Sequence, residues 1–530
     1  MNYKILFLSL LIAGTLLTGC DKSFVSINTD PEHLTAANMN YKYLFTAAQL
    51  ITSGNSDANA YEDWRNNLIY ASTMIQHLSS TVSYWCGDKY TYNSGYNSAY
   101  WEQNYGDPVK NIVEVVTHTK TDSTLTNFYN IARIFKVFMF QRLTDMYGDC
   151  PYSQAGLGYI SNITAPKYDK QQDIYTDMFN ELQDAAGKLN ATGTNTVGSA
   201  DVLYSGDPVK WKKFAYSEML RLAMRLVKID PVNAQKWAQA AITGGVMSSN
   251  ADNAIFSHAT QVSGTVTVNG NGLVLDGVDP NASRLSKTFV DYLVSTSDPR
   301  LPYIGTVISD PSVSNDIGDN TPSKQLGQPN GYDNLGKATD ISTAPGYPGS
   351  QNSYSVVNRQ TFSRADAPTF FLTYAETALL EAEAAQRGWS SGNPATLYAS
   401  GVTAAMGQFD QIAANLGNTP AALPGIQPSA IATYLAANPY NPATALNQIN
   451  TQYWVATFMD EYEAWSNWRR SGYPVLTPIA NYPLNATNGT IPRRFTYSQG
   501  EASTNPTNYA AAVAGLANGD KMTSRVWWDK

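Results

Sequence analysis

Between Phe128 and Tyr147 the chain carries apolar side chains at Phe128, Ile131, Ile134, Phe135, Phe138, Leu143 and Met146, a spacing that gathers them into one broad stripe only if the backbone is helical. The pattern recurs. Ile174, Met178, Leu182, Ala185 and Leu189 step by three or four; Trp211 to Lys228 repeats it through Phe214, Met219, Leu222 and Leu226, and Trp237 to Ile242 reads as its shorter partner. Leu372, Ala375, Leu379 and Ala382 mark another helix that Gly388 ends, with Glu383 and Arg387 expected as an exposed ion pair one turn apart. Leu397 to Leu416 and Ile449 to Ser466 complete the set, whereas period-two runs are confined to short stretches such as Thr265 to Val268. The expected fold class is all-α. Helix pairs of this size, with alanines for close packing, point to tetratricopeptide-like hairpins without the strict repeat of about 34 residues.

The segments between the helices are equally informative. From Gly305 to Ser350, twelve of 46 residues are Gly or Pro, so no regular core element fits there, and long loops inside a compact protein are usually functional. From Thr81 to Tyr105, Tyr84, Trp85, Tyr90, Tyr92, Tyr96, Tyr100, Trp101 and Tyr105 stand among Gly, Asn and Ser with no helical period. Charged residues make up only 15% of the chain, against about 25% in an average soluble protein, while aromatics reach 12%. Such a surface suits uncharged, hydroxyl-rich or amide-rich ligands met by rings that are apolar on the face and polar at the tip. The net charge of −8 is the reverse of a nucleic-acid binder's basic footprint, so no nucleic acid is expected as a partner.

Met1 to Lys4 carry one positive charge, and Ile5 to Leu17 form an apolar run of thirteen residues, too short to span a bilayer. Leu17-Thr18-Gly19-Cys20 resembles the bacterial lipobox, in which cleavage before the Cys leaves its thiol to take a diacylglycerol. Residues 1–19 are then a lipoprotein signal peptide, 20–530 the mature domain, and Cys20 the lipid anchor. Only Cys86 and Cys150 remain, as one disulfide or as two buried free thiols.

No motif supplies catalytic chemistry. His33, His77, His118 and His258 each lie more than forty residues from the next, without a second ligand at metal spacing. Gly331 to Ala338 nearly matches a phosphate-cradling loop, but Ala338 replaces the hydroxyl that would hold magnesium and no strand precedes it. Asp145 and Asp149 sit at a helix end beside Gly148, and Glu381 and Glu383, two apart on a helix, face different ways, so neither set reads as an acid/base pair. The expectation is no enzyme, no catalytic residue, no metal and no cofactor.

Eight blocks then follow one another in a familiar order. Asn28-Thr29-Asp30-Pro31 comes after the lipobox; Tyr147-Gly148-Asp149-Cys150-Pro151-Tyr152-Ser153 is next, then Lys167-Tyr168-Asp169 with Gln171 and Ile174-Tyr175. Gly206-Asp207, Trp211 to Phe214 and Leu220-Arg221 precede Asp298-Pro299-Arg300-Leu301. Glu376, Leu379, Leu380, Glu383, Ala384, Arg387 and Gly388 lead to Trp465, Arg469-Arg470 and Gly472-Tyr473-Pro474, and Ile491 to Arg494 and Val526 to Asp529 close the chain. Together they resemble the SusD/RagB family of nutrient-binding outer-membrane lipoproteins over nearly the whole mature chain. The resemblance implies a helical scaffold of four tetratricopeptide-like hairpins under a loop-rich half, anchored at the outer membrane of a Gram-negative bacterium and exposed at its surface. It also implies delivery of a glycan or oligopeptide, as a lid, to a SusC-type TonB-dependent transporter. Most motif residues read as scaffold, Arg221 satisfying buried carbonyls or a carboxylate. A surface-anchored glycoside hydrolase and a tetratricopeptide-like adaptor are the competing readings; the first lacks an acid/base pair, and aromatic Gly/Asn loops disfavour the second.

The ligand is placed on the aromatic segment, with Trp85 as main platform, Tyr84, Tyr90, Tyr92 and Tyr96 beside it and Trp101 as a further candidate; Tyr332, Tyr347 and Tyr354 are candidates for an opposite wall. The anchor carries its own test. Cys20→Ala should release the protein from membranes, and a variant that still sediments with them after a high-salt wash would refute the lipid assignment.

Overall fold

The computed structural model describes residues 39–54, 62–193, 197–259, 267–314, 316–417, 420–480 and 482–530; Cys20, Asn28 to Pro31 and His33 lie outside them, as do Thr265 and Val266. Residues Lys42–Lys530 form one compact unit. Its longer helices are α1 (Tyr41–Thr52), α2 (Ser94–Gly106), α3 (Pro108–Thr119), α4 (Thr126–Tyr147), α5 (Gln171–Lys188), α6 (Pro208–Arg225), α7 (Pro231–Gly244), α8 (Lys287–Ser295), α9 (Tyr374–Gln386), α10 (Pro394–Asn415), α11 (Pro428–Ala437), α12 (Ala445–Ala456), α13 (Glu461–Ser471) and α14 (Pro506–Ala514). The strands form three two-stranded antiparallel ribbons: β1 (Leu78–Ser79) with β3 (Arg284–Leu285), β2 (Ala254–Phe256) with β6 (Thr369–Leu372), and β4 (Gly305–Thr306) with β5 (Val356–Val357). No helix among the described residues is long and apolar enough to cross a membrane.

Local chemistry sets the helix starts. Asp207 accepts from the amides of Val209 and Lys210 with Pro208 in the first turn, and Asn393 does the same for Thr396 ahead of Pro394. Thr373 and Glu376 form a reciprocal capping box on α9. Helices α4 and α5, α6 and α7, α9 and α10, and α12 and α13 pack pairwise, and successive pairs meet through α5 and α6, α6 and α9, and α9 and α12. This gives four stacked hairpins, of the kind the periodicity points to and in the number the resemblance implies.

Three expectations change. Ser94–Gly106 is helical because Asn93 caps it, accepting from the Tyr96 amide, and its inner face buries Asn97, Ser98 and Asn104 with hydrogen bonds, which an apolar period does not register. The single helix expected over Ile449 to Ser466 is two, α12 and α13, broken where Met459 takes φ +77°. Glu383 is not exposed: it is wholly buried and binds Arg470 (2.9 and 3.0 Å) as well as Arg387 (2.8 Å) and Asn450 (3.1 Å).

Glu383 belongs to a set of buried ion pairs that ties the hairpins together. Arg221 of α6 donates to Glu376 of α9 (2.6 Å) and to the Phe371 carbonyl (3.3 Å), and pairs with Glu218 (3.2 Å). Arg225 donates to Glu463 of α13 (2.6 Å) and Asp145 of α4 (3.1 Å), while the Tyr453 hydroxyl of α12 donates to Glu376 and Glu463. Trp528, near the carboxyl terminus, gives its indole N–H to Asp145 (2.9 Å). Burial pushes the Glu383 carboxyl up, but Arg470 and then Arg387 outweigh it and hold it down at about 2. A depressed folded value contributes stability that is present above the ordinary value of 4.5 and lost as pH falls through about 2. Glu383→Gln should therefore cost about 3–5 kcal/mol at pH 7, because Arg470 is left buried without its charge partner. In urea titrations the gap to the parent protein should narrow as pH drops below 4.5; a constant gap would show that the charge is not the cause.

Candidate functional site

The two unusual loops of the sequence meet. Asp88, fully buried, accepts from Asn330 Nδ2 (2.6 Å), the Gly331 amide (2.8 Å) and the Ser80 amide (3.2 Å). Gln328 donates to Ser79 (3.1 Å) and Gln351 to Thr81 (2.9 Å), so the segment after Thr81 and the Gly/Pro-rich stretch form one hydrogen-bonded layer. Buried Lys89 donates to the carbonyls of Ser80 (2.6 Å) and Val82 (3.3 Å). Beneath lies Asp63–Ser72, a run of π-helix, a winding that is rare and concentrated at functional sites. A Cβ on Gly87 would come within 2.5 Å of the Ile69 carbonyl oxygen, so only glycine lets the loop lie this close.

The expected platform is not where the sequence placed it. Trp85 is wholly buried, its indole N–H donating to Asp279 (2.9 Å), so it offers no face to a ligand. Tyr90 is likewise buried, and Trp101, 3% exposed, stacks on Tyr168 at 5.6 Å and meets Tyr147 and Tyr497 edge-on. Tyr354 is buried on Ile341 and Ala344 with half-buried Tyr332 and Tyr347 packed against it, a small core internal to the second loop rather than an opposite wall. Trp85 and Tyr90 tie their segment down through their polar tips, to Asp279 and the Ile479 amide, whereas Trp101, on α2, and Tyr354 are held by ring and aliphatic packing.

The remaining candidates are accessible. Tyr84 is 37% exposed and Tyr92 52% exposed, with Tyr96 half-buried. Tyr92 lies apart, its hydroxyl 3.3 Å from that of Thr496. Tyr84 and Tyr96 belong to a shelf that also includes Trp64, Arg65 and Asp279. The Tyr84 hydroxyl donates to Asp279 (2.8 Å), which thereby holds both Tyr84 and Trp85, and burial together with that carboxylate drives the phenol well above its ordinary value. The Arg65 guanidinium lies 5.5 Å from the ring centroids of both Trp64 and Tyr96. The Trp64 indole N–H is buried and has no hydrogen-bond partner among the described residues. Sequence reading missed Trp64, Arg65 and Asp279. The adjacent Trp-Arg pair was the one available signal for the first two; nothing local marks Asp279, which lies 195 residues from Tyr84.

The other motifs resolve as structure. Cys86 and Cys150 are buried free thiols, with burial pushing the Cys150 thiol up to about 12. His77 pairs with Glu461 at 2.6 Å in the core, and His258, held down at about 4 by burial, bonds Thr267 and Thr369. The P-loop-like stretch turns on its own carboxylates, Asp333 accepting from the Leu335 amide and Asp340 from that of Gly336, so those amides are not free for phosphate. Among the described residues no group of three or more His, Cys, Asp or Glu is placed to hold a metal ion.

The model of a family called SusD-like, described as starch-binding and associating with the outer membrane, matches residues 37–498. No curated protein matches the chain. Among solved structures it is similar to a chitin-binding protein at 34% identity and TM-score 0.79, over 93% of this chain and 100% of that one. It is also similar to a SusD-like protein of Bacteroidetes AC2a at 28% identity and TM-score 0.79, again over 93% and 100%. A chitin-binding SusD homologue from Flavobacterium johnsoniae, at 24% identity and TM-score 0.73 over 92% and 98%, shares the fold.

Proposed function

The chain belongs to the SusD-like family, and from that premise we propose that it is a cell-surface lipoprotein that captures a glycan on the shelf of Tyr84, Tyr96 and Trp64. In this reading Cys20 anchors it to the outer membrane, and it hands its ligand as a lid to a SusC-type TonB-dependent transporter. The observation that carries it is a pair of accessible tyrosine rings held in place, Tyr84 through its hydroxyl on Asp279 and Tyr96 by the Arg65 guanidinium over its ring. A sugar's C–H face lies on such rings, with its hydroxyls toward the Arg65 guanidinium. Asp279 is committed to holding the shelf, accepting from both Tyr84 and Trp85, and in this reading the shelf binds without hydrolysing.

The 34%-identical relative described as chitin-binding makes N-acetylglucosamine oligomers the first ligand to try, with malto-oligosaccharides as the starch-type comparison. Tyr84→Ala and Tyr96→Ala should each weaken oligosaccharide binding about tenfold, roughly 1.4 kcal/mol, in isothermal titration, with the circular-dichroism spectrum unchanged. Affinities within twofold of the parent's in both folded variants would move the site elsewhere. Gentle detergent extraction should bring the protein out with a barrel-forming partner; recovery as a free monomer would count against the lid.

A further inference from the structure

Away from the shelf, a cleft opens between the start of the π-helix, α4, α10, the turn at Met459–Asp460 and β6. One wall is aromatic: half-buried Phe362 and Phe370 line it, with Phe409 and Phe458 packed edge-on to Phe362 at 5.7 and 5.3 Å. The other wall is acidic, formed by Glu62, Asp63 and Asp460.

Two features mark this cleft as built for a ligand. Thr52 Oγ1, Arg300 Nη1, Gln408 Nε2 and Asp460 Oδ1 are buried polar atoms without a hydrogen-bond partner, and all four belong to residues lining the cleft. Thr52, Arg300 and Gln408 are 6%, 1% and 7% exposed, in a class of atoms that is rarely left unsatisfied. Charge is also out of balance. Arg142 commits to Asp460 (2.8 Å) and Arg300 to Asp298 (2.9 and 2.6 Å), which leaves Glu62 and Asp63 without an ion pair among the described residues. Glu62 accepts one hydrogen bond, from Asn104 (3.0 Å).

We propose that the cleft is a second binding site, for a compact polyol bearing a primary ammonium, of the chemistry of a 2-amino-2-deoxyhexose. The ammonium sits against Asp63 and Glu62, and the sugar's C–H face lies on Phe362 and Phe370. Its hydroxyls accept from Gln408 Nε2 and Arg300 Nη1 and donate to Thr52 Oγ1 and Asp460 Oδ1. A neutral sugar would leave the carboxyl pair unanswered.

Burial, opposed by Arg142 and reinforced by Asp460, pushes Asp63 up to about 7; burial raises Asp460 to about 6 and, with Asp63 beside it, lifts Glu62 well above its ordinary value. The groups facing Asp63 are thus Glu62 on its own element, Arg142 from α4 and Asp460 from the turn, with Tyr100 and Tyr462 nearby. A protonated carboxyl must ionise to hold an ammonium. Binding should therefore release a proton below about pH 7 and tighten as pH rises from 5 to 7.

The test is titration calorimetry of the full chain with glucosamine, N-acetylglucosamine and glucose at pH 5, 6 and 7, in buffers of different ionisation heat. Glucosamine should bind at least tenfold tighter than the two neutral sugars at pH 7, with proton release on binding. Asp63→Asn should abolish both the preference and the proton release, and Gln408→Leu should weaken glucosamine several-fold while leaving the pH slope. Equal affinity for the three sugars, or a folded Asp63→Asn that keeps the preference, would overturn the proposal. Saturating glucosamine should not displace an oligosaccharide from the shelf; displacement would place both ligands in one site and overturn it, whereas failure of the tyrosine variants bears on the shelf alone.

Discussion

The scaffold depends on guanidinium groups that have left water entirely. Arg221, Arg225, Arg469 and Arg470 are each 1% exposed or less, and every carboxylate that Arg221, Arg225 and Arg470 engage lies on a helix of the hairpin stack. Removing such charges from water is costly, and the cost is offset only when geometry and further hydrogen bonds satisfy both partners. Here Asp145 receives Arg225, Trp528 and Tyr175 together, and Glu383 receives two arginines and an asparagine. A hairpin shifted by a turn would strand a charge in the core, so the network sets register in a way that interchangeable apolar contacts do not.

The same network reaches the functional half. Arg142 of α4 lies among the core helices and donates to Asp460 on the wall of the cleft. The turn that carries Asp460 also packs on the π-helix, since Asn67 donates to the Met459 carbonyl and accepts from the Glu461 amide. The π-helix in turn presents Trp64 and Arg65 to the shelf and Asp63 and Asn67 to the cleft. One widened helical segment therefore contributes to both surfaces.

Aromatic residues divide into anchors and displays. Trp85 and Tyr90 fix their loop and Trp101 anchors α2, while Tyr84 and Tyr96, from the same stretch of chain, keep part of their rings outside. Neighbours as close as Tyr84 and Trp85 take opposite roles, and Asp279 separates them by accepting from both at once. Composition shows that rings are abundant; it does not say which are anchors and which are displayed.

The helices were legible from the chain because a helix buries one stripe, and residues three or four apart share it whatever else they touch; the stripe at Phe128 to Met146 became α4, and the one at Ile174 to Leu189 became α5. The ordered motif blocks likewise contained part of the network, Arg221, Glu376, Glu383, Arg470 and Trp528, while Asp145, Arg225, Tyr453 and Glu463 lie outside them. Helix α2 escaped because its buried residues mix Asn97, Ser98 and Asn104, satisfied by hydrogen bonds that hydropathy does not register, with Ala99, Tyr100 and Trp101. Only the tertiary structure decided that Glu383 is a core charge, that Trp85 is an anchor, and that Trp64, Arg65 and Asp279 complete a shelf. Burial of one side chain depends on partners up to hundreds of residues away, and a local period carries no information about them.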